Sequence, residues 1–325
     1  MELFKFSGVR SDTHGWCKAT RRFMRHRMYK VGKNDLYRKK VMYLLNHRSW
    51  ADLIIDQYAT EGRSTFLSRF AVALAFPAFI SVMYVTKTVL LFNRNNVKDK
   101  EAFNRWIDRQ FGSSPQTGLS VYPEGHRSTA GGSQPLKRGM LMYAFSRKMP
   151  VQIIISANKE ALLSEKEFTA RFNQNVAVGY SEVIDPSKFE DPREFVDEVQ
   201  RVWDAKWNEV YSADMTKLPD LPLGPTDIML PVSLRYAVLP LFAANIILFG
   251  LALYCIWWSL TTFLALCGPL GPFVGGLLTA YVATSLIIYS LPYDTSAAAA
   301  ERKHLPKAEA VRSPTPALNG QAKDQ

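Results

Sequence analysis

The sequence predicts a mixed α/β domain, with helices flanking its sheet, followed by a hairpin of two transmembrane helices. Between Val41 and about Tyr211, short apolar runs alternate with longer helical stretches, as in a sheet covered by helices. From Tyr236 to Tyr293 the chain has no Asp, Glu, Lys or Arg over 58 consecutive residues. A helical span needs about 20 apolar residues, so this run is long enough for two spans and a turn.

The hairpin is expected over Ala237–Leu260 and Phe273–Leu291, with a turn at Gly268–Pro272. Basic residues flank the hairpin and none lies in the turn. They are Arg235 on one side and Arg302, Lys303 and Lys307 on the other. Under the positive-inside rule, both ends of the hairpin face the cytosol. The alternative is a buried helical pair in a large soluble core.

Positive charge is concentrated at the N-terminus. Residues 1–48 hold 13 Lys and Arg against three acids, which is a net charge of +10, and the whole chain has a net charge of +11. Aromatic residues and methionines are interleaved with ten of these basic residues in Lys18–Lys40. Residues 1–40 are therefore predicted to be a basic membrane-surface segment, as a helix on an anionic bilayer. Nucleic-acid binding and a solvated basic helix are the alternatives.

The catalytic domain is expected over residues 41–220. Strands are predicted at Val41–Leu45, Thr88–Phe92, Gly118–Tyr122, Val151–Ala157 and Asn175–Val178. Helices are predicted near Trp50–Thr60, Asp99–Phe111 and Gly139–Lys148, and a further helix begins at Asp191–Pro192 with an N-cap and a proline.

Two further segments complete the organisation of the chain. Phe70–Thr86 has no charged residue, but it is short for a span and contains Pro77, which favours a buried or membrane-dipping helix. Residues 294–325 are rich in Ala, Pro and Lys and are predicted to be disordered. The three cysteines fit neither a disulfide framework nor a metal site.

A candidate base follows the first predicted strand. His47 comes directly after Val41–Leu45 and Asn46, and Asp52 lies five residues further on. A carboxylate on one imidazole nitrogen fixes the tautomer and leaves the other nitrogen to take a proton. A capping or packing pair is the alternative for this spacing alone.

A second polar loop ends the strand Gly118–Tyr122. It contains Glu124, Gly125 and Arg127, and Lys137 follows ten residues after Arg127. Glycine permits close approach of a ligand to the backbone, and a guanidinium binds phosphate through paired hydrogen bonds.

Together, the N-H-x-x-x-x-D motif at Asn46–Asp52 and the P-E-G-x-R-S motif beginning at Pro123 resemble those of the glycerolipid acyltransferase family. The resemblance implies the α/β fold of that family and transfer of an acyl group from acyl-CoA to a glycerolipid hydroxyl. It implies His47 as the general base and Asp52 as the residue that orients it.

The same resemblance places Glu124, Gly125 and Arg127 on the acceptor-binding loop. Arg94 corresponds to an arginine that contacts the acceptor phosphate in the family, and Lys137 to a basic position after the loop. No cofactor is expected besides acyl-CoA as co-substrate.

The expected function is acylation of lysophosphatidic acid to phosphatidic acid by an integral membrane protein of the endoplasmic reticulum with a cytosolic catalytic domain. The expected partners are acyl-CoA, a lysophospholipid and the membrane, without nucleic acid. The alternatives are another lysophospholipid or a neutral acylglycerol as acceptor, and an inactive membrane scaffold.

Overall fold

The computed structural model describes residues 12–75, 77–93, 99–128, 131–164, 169–224 and 232–290. The helices are α1 (Asp12–Phe23), α2 (Asp52–Ala59), α3 (Ala71–Ala75), α4 (Pro77–Val85), α5 (Lys100–Gly112), α6 (Arg138–Ser146), α7 (Pro192–Tyr211), α8 (Val232–Leu266) and α9 (Gly271–Ser290). The strands are β1 (Arg27–Val31), β2 (Val41–Leu45), β3 (Ser64–Arg69), β4 (Val89–Phe92), β5 (Gly118–Val121), β6 (Val151–Ala157), β7 (Leu163–Ser164), β8 (Thr169–Ala170) and β9 (Asn175–Ile184).

Within the described part of the chain, seven strands form one mixed sheet in the order β1-β9-β6-β2-β5-β3-β4. Strands β6, β2, β5, β3 and β4 are parallel, whereas β9 runs antiparallel to β6 and is parallel to β1. One edge of the sheet therefore carries the carboxyl ends of five strands and the amino ends of β9 and β1. Loops at the carboxyl ends of strands are the usual place for a site in such sheets.

The sheet has a hydrophobic core on each face, which confirms a sheet flanked by helices. Met42 and Leu44 of β2 point into the core beneath α5, α6 and α7, and Tyr43 and Leu45 point into the core beneath α1, α2 and α4. Residues on a strand alternate between faces, so a strand buried on both sides is apolar throughout. This explains the continuous apolar run at Val41–Leu45.

The predicted strands are all present, within a few residues of their expected ends, and β9 extends further, to Ile184. The predicted helix at Asp191 begins at Pro192, and the Asp191 side chain accepts a hydrogen bond from the backbone N–H of Arg193. Phe70–Thr86 contains helices α3 and α4, in which Ile80 and Met83 are buried.

The prediction of a single basic helix within Lys18–Lys40 is wrong. Helix α1 ends at Phe23, and Arg27–Val31 forms strand β1, paired in parallel with β9. Met28 and Val31 of β1 are buried, one in each core, whereas Arg27 is exposed and Lys30 is half-buried, so this edge strand has no continuous apolar run. The sheet thus includes residues that the sequence assigned to the surface segment.

The apolar C-terminal block forms α8 and α9, joined by a short turn at Gly268–Leu270. One helix among the described residues, Leu239–Leu266, is long and apolar enough to cross a membrane. Its large apolar side chains are exposed, including Phe249 at 66% and Trp257 at 65%. The predicted disordered tail, 294–325, lies outside the described residues.

Candidate active site

The predicted base and its carboxylate are in contact. Nδ1 of His47 lies 2.6 Å from Oδ2 of Asp52, at the edge where β2 ends and α2 begins. The Asp52 side chain is buried, whereas that of His47 is 27% exposed. With Nδ1–H donating to the carboxylate, Nε2 is the nitrogen that is able to accept a proton. This geometry is compatible with the predicted roles of His47 as general base and Asp52 as the acid that orients it.

Backbone and side-chain hydrogen bonds fix the position of His47. The amide side chain of Asn46 donates to the carbonyl of Ser156 on β6, 3.0 Å away, and accepts from the N–H of the same residue at 2.9 Å. The carbonyl of His47 accepts from the N–H of Ser128, 3.0 Å away. His47 is therefore held both to β6, through its neighbour Asn46, and to the loop that carries Glu124.

Asp52 is held ionised by the groups around it. Its oxygens accept from the backbone N–H groups of Arg48 at 2.6 Å and Ser49 at 3.1 Å. Burial alone would raise the pKa of Asp52, but the charge of Lys159 and the hydrogen bond with His47 outweigh burial and lower it. The carboxylate is thus available to stabilise an imidazolium at His47.

A fully buried lysine lies behind this pair. Nζ of Lys159 is 3.4 Å from Oδ1 of Asp52 and donates to both oxygens of Asp56, at 2.9 and 3.0 Å. It also donates to the carbonyl of Asn46 at 2.6 Å. Burial lowers the pKa of Lys159, but the two carboxylates raise it more, so the ammonium stays charged. Lys159 thus links the His47–Asp52 pair to a second acid, Asp56.

The aromatic ring of Tyr122 lies flat against the imidazole of His47. The ring centroids are 4.3 Å apart and the planes differ by 17°. The hydroxyl of Tyr122 donates to Oδ2 of Asp56 at 3.0 Å. Tyr122 therefore limits rotation of the His47 ring and is itself fixed by the acid that binds Lys159.

Glu124 faces the same site from the loop that follows β5. Its Oε1 accepts from the backbone N–H of His47 at 3.3 Å, and its buried Oε2 has no hydrogen-bond partner within the described chain. Burial raises the pKa of Glu124 to about 7, although the bond from His47 and the charge of Arg48 act in the opposite direction. An unpartnered buried carboxyl oxygen beside the base is suited to accept from, or donate to, a substrate hydroxyl.

Cationic side chains gather around the glycine of this loop. Gly125 has a φ of 76°, and Lys137 lies so close that a side chain at Gly125 would contact it. Arg127 is exposed on the same loop. Arg69, at the end of β3, donates to the carbonyl of Gly125 at 3.3 Å. The structure thus brings together the predicted loop residues and adds Arg69, whereas Arg94 lies outside the described residues.

Three residues of the site were missed by the sequence reasoning, and each follows a strand or ends one. Tyr122 and Lys159 lie just beyond β5 and β6, and Arg69 is the last residue of β3. The carboxyl ends of neighbouring parallel strands meet at one edge of a sheet. The polar residues Tyr122 and Lys159, which follow β5 and β6, could therefore have been expected at this edge from their positions in the sequence. Arg69 could be placed at this edge only if β3 were predicted, and its sequence, Ser-Thr-Phe-Leu-Ser-Arg, does not have the apolar pattern of a buried strand.

Comparisons with known proteins agree with this geometry. Residues 27–156 match the model of the acyltransferase family. Among solved structures, the chain is similar to the 1-acyl-sn-glycerophosphate (LPA) acyltransferase PlsC from Thermotoga maritima, with a TM-score of 0.50 and 16% sequence identity over 62% of this chain and 80% of that one. At this identity the likeness concerns the fold. No curated protein matches the chain significantly.

Proposed function

We propose that the chain, whose residues 27–156 match the acyltransferase family, transfers an acyl group from acyl-CoA to the hydroxyl of lysophosphatidic acid. The observation that carries the proposal is the contact of 2.6 Å between the half-buried His47 and the buried Asp52. This pair lies beside a loop with a buried acid and several cations, which suits a phosphate-bearing acceptor.

In the proposed reaction, Nε2 of His47 takes the proton of the acceptor hydroxyl as its oxygen attacks the thioester carbonyl carbon. The tetrahedral intermediate then breaks the carbon–sulfur bond. The CoA thiolate leaves and receives the proton from the imidazolium, which returns His47 to its starting state. A positioned general base typically contributes about 10²- to 10⁴-fold to the rate. No acyl-enzyme is required.

Asp52 and Lys159 support this step without touching the substrate. The carboxylate of Asp52 holds Nδ1–H and stabilises the imidazolium that forms, at a hydrogen-bond distance of 2.6 Å. Lys159 favours the ionised form of Asp52, since its ammonium lies 3.4 Å away in a region without solvent. The site is therefore preorganised for a positive charge on His47.

The cations at the loop favour a phosphate on the acceptor. Arg69 and Arg127 are exposed, and Lys137 packs against Gly125. A guanidinium binds phosphate with charge-assisted, paired hydrogen bonds. We expect Arg94 to add a further contact, as the family motif implies. A neutral acylglycerol has no group for these residues, which makes it the weaker candidate acceptor.

We further propose that α8 and α9 cross the bilayer and leave the catalytic domain on the cytosolic side of the endoplasmic reticulum. The exposed apolar surface of α8 supports membrane insertion. The basic residues before and after the two helices favour the cytosolic side for both ends. Acyl-CoA and the lipid acceptor would then meet at the membrane surface.

The function is tested by measuring acyl transfer from acyl-CoA by the purified full chain to lysophosphatidic acid, lysophosphatidylcholine and monoacylglycerol. Arg69→Gln and Arg127→Gln should each raise the KM for lysophosphatidic acid about tenfold, because each removes about one charge-assisted hydrogen bond to the acceptor phosphate. Arg109→Gln, on the exposed face of α5, is the matched control. Faster turnover of monoacylglycerol would favour the neutral acceptor, and no turnover of any lipid would favour the scaffold.

A further inference from the structure

A cationic pocket of about 600 Å³ lies beside the edge of the sheet that carries the active site. Four arginines, one histidine and two asparagines line it, and none of these described residues is acidic. They are Arg21, Arg22, Arg25, Arg27, His26, Asn173 and Asn175. The proposed reaction does not use these residues.

The pocket lies within reach of the reacting atoms. Arg27 begins β1 and pairs with Asn175 at the beginning of β9, and β9 is antiparallel to β6. The pocket is therefore at the edge where β6 and β2 end, which is the edge of His47. Strand β1 is three positions from β2 in the sheet, or ~14 Å at ~4.8 Å for each strand.

A short chain of contacts joins the pocket to the catalytic pair. The amide of Asn158 donates to the carbonyl of Asn175 at 2.7 Å. The next residue is Lys159, whose Nζ lies 3.4 Å from Oδ1 of Asp52. One wall of the pocket is thus continuous with the floor of the active site.

The charges of the pocket are available to a ligand. Arg21 donates to the carbonyl of His26 at 2.9 Å and lies over the ring of Tyr58. By contrast, Arg22, Arg25 and Arg27 are exposed and make no ion pair with any described residue. Clustered guanidinium groups without carboxylates form a site for a molecule with more than one phosphate.

The opposite end of the sheet carries exposed apolar side chains, next to Arg69 at the end of β3. Strand β4 is at that end, α4 packs on it, and α8 is in contact with α4. Phe70 and Tyr84 are exposed there, at 57% and 61%. In the order of the strands, His47 therefore lies between these exposed apolar side chains and the cationic pocket. An acyl-CoA molecule has the same polarity: an apolar chain, a thioester in the middle, and phosphates at the far end of the pantetheine arm.

We propose that this pocket binds the phosphate groups at the nucleotide end of acyl-CoA. The inference rests on the proposed function and adds to it the place and orientation of the donor. The acyl chain points toward α4 and α8, and the pantetheine arm spans the edge of the sheet between the pocket and His47. An anionic lipid headgroup carries the same phosphate chemistry, but it belongs in the bilayer, on the side of α8.

The test compares the wild type with the triple variant R22Q/R25Q/R27Q. The variant should raise the KM for acyl-CoA at least about tenfold, while kcat and the KM for the lysolipid change little. The wild type should prefer acyl-CoA over the acyl thioester of dephospho-CoA, and the variant should lose that preference. The matched control R109Q/K188Q/R193Q removes the same charge from exposed positions on α5, after β9 and on α7. It should behave as the wild type.

Binding of CoA itself, measured by calorimetry, separates this inference from the proposed function. If the wild type binds CoA and the variant does not, the pocket is supported even where no lysolipid is turned over. If the variant keeps the KM of the wild type for acyl-CoA, the inference is wrong and the function stands. If the variant instead loses affinity for vesicles with anionic lipid and keeps its affinity for CoA, the pocket is a headgroup site, which overturns the inference.

Discussion

Nζ of Lys159 lies 3.4 Å from Oδ1 of Asp52, and neither side chain reaches solvent. The same ammonium binds Asp56, whose pKa is raised to about 7 by burial and by the charge of Asp52, against the opposing effect of Lys159. One buried cation is therefore shared by two acids, and it favours the ionised form of the acid that orients His47. This makes the protonation state of Asp52 depend on a residue outside both sequence motifs.

Replacing Lys159 by Met should lower kcat and destabilise the fold. Removing one partner of a buried ion pair costs about 3–5 kcal/mol. Without the ammonium the pKa of Asp52 rises, so the acid limb of kcat against pH should move to higher pH. Lys206→Met is the matched control, because Lys206 is also largely buried and pairs with Glu209 away from the site. A loss of stability with an unchanged pH profile in Lys159→Met would show that Lys159 does not act through Asp52.

Two substitutions of Tyr122 separate its ring from its hydroxyl. Tyr122→Phe keeps the stacking on His47 and loses the bond to Asp56, a net effect of about 1 kcal/mol on stability. Its kcat should stay within about fivefold of the wild type, whereas Tyr122→Leu should lower kcat by about tenfold or more, because the imidazole is free to rotate away from its productive position. Equal kcat values for the two variants would contradict a positioning role for the ring.

Glu124 should make stability fall as the pH rises. Its pKa is raised to about 7, above that of the same carboxyl in the unfolded chain. At a pH between the pKa of Glu124 in the unfolded chain and its higher pKa in the folded protein, the carboxyl is protonated only in the folded state. The free energy of unfolding therefore decreases as the pH rises through this window. Glu124→Gln removes this titration and should make the slope shallower between about pH 5 and about pH 7, where Asp56, whose pKa is also raised to about 7, still contributes. Denaturant unfolding checks this, with the exposed Glu190→Gln as control; an unchanged slope in Glu124→Gln would contradict the raised pKa.

The C-terminal helices should hold the protein in the membrane with both ends on one side. The full chain should resist extraction by high salt, and a chain without residues 236–325 should be released by it, since electrostatic contacts at a membrane surface are screened. A tag at the C-terminus should be digested by protease added to sealed microsomes. Protection of that tag would contradict the cytosolic orientation.

Sequence reasoning recovered the apolar parts of the fold and the residues with motif chemistry. Strand β2 is a continuous apolar run, β6 contains the apolar run Ile153–Ile155, and His47 and Asp52 stand in a specific pattern. It missed β1, where the basic residues Arg27 and Lys30 stand among apolar ones at a sheet edge. It also missed β3, where the hydroxyls of Ser64 and Ser120 are paired at 2.6 Å inside the sheet. Neither has the pattern of a buried strand.

Lys159 and Tyr122 could not be predicted from the sequence for a different reason. Lys159 reaches Asp52 only because β6 lies next to β2, a pairing between segments more than 100 residues apart. Tyr122 has no motif role that marks it as the support of His47, and its stacking follows from the neighbouring positions of β2 and β5. Such contacts depend on strand order, which local periodicity does not determine.

If His47 is the base in acyl transfer from acyl-CoA to lysophosphatidic acid, its removal should abolish most of the turnover. The kcat of purified wild type is compared with that of His47→Ala, with His126→Thr on the neighbouring exposed loop as the control. We expect a loss of about 10²- to 10⁴-fold in kcat for His47→Ala and a kcat within about tenfold of wild type for His126→Thr. If His47→Ala keeps a kcat within about tenfold of wild type, or if both variants lose activity equally, His47 is not the single base of the reaction.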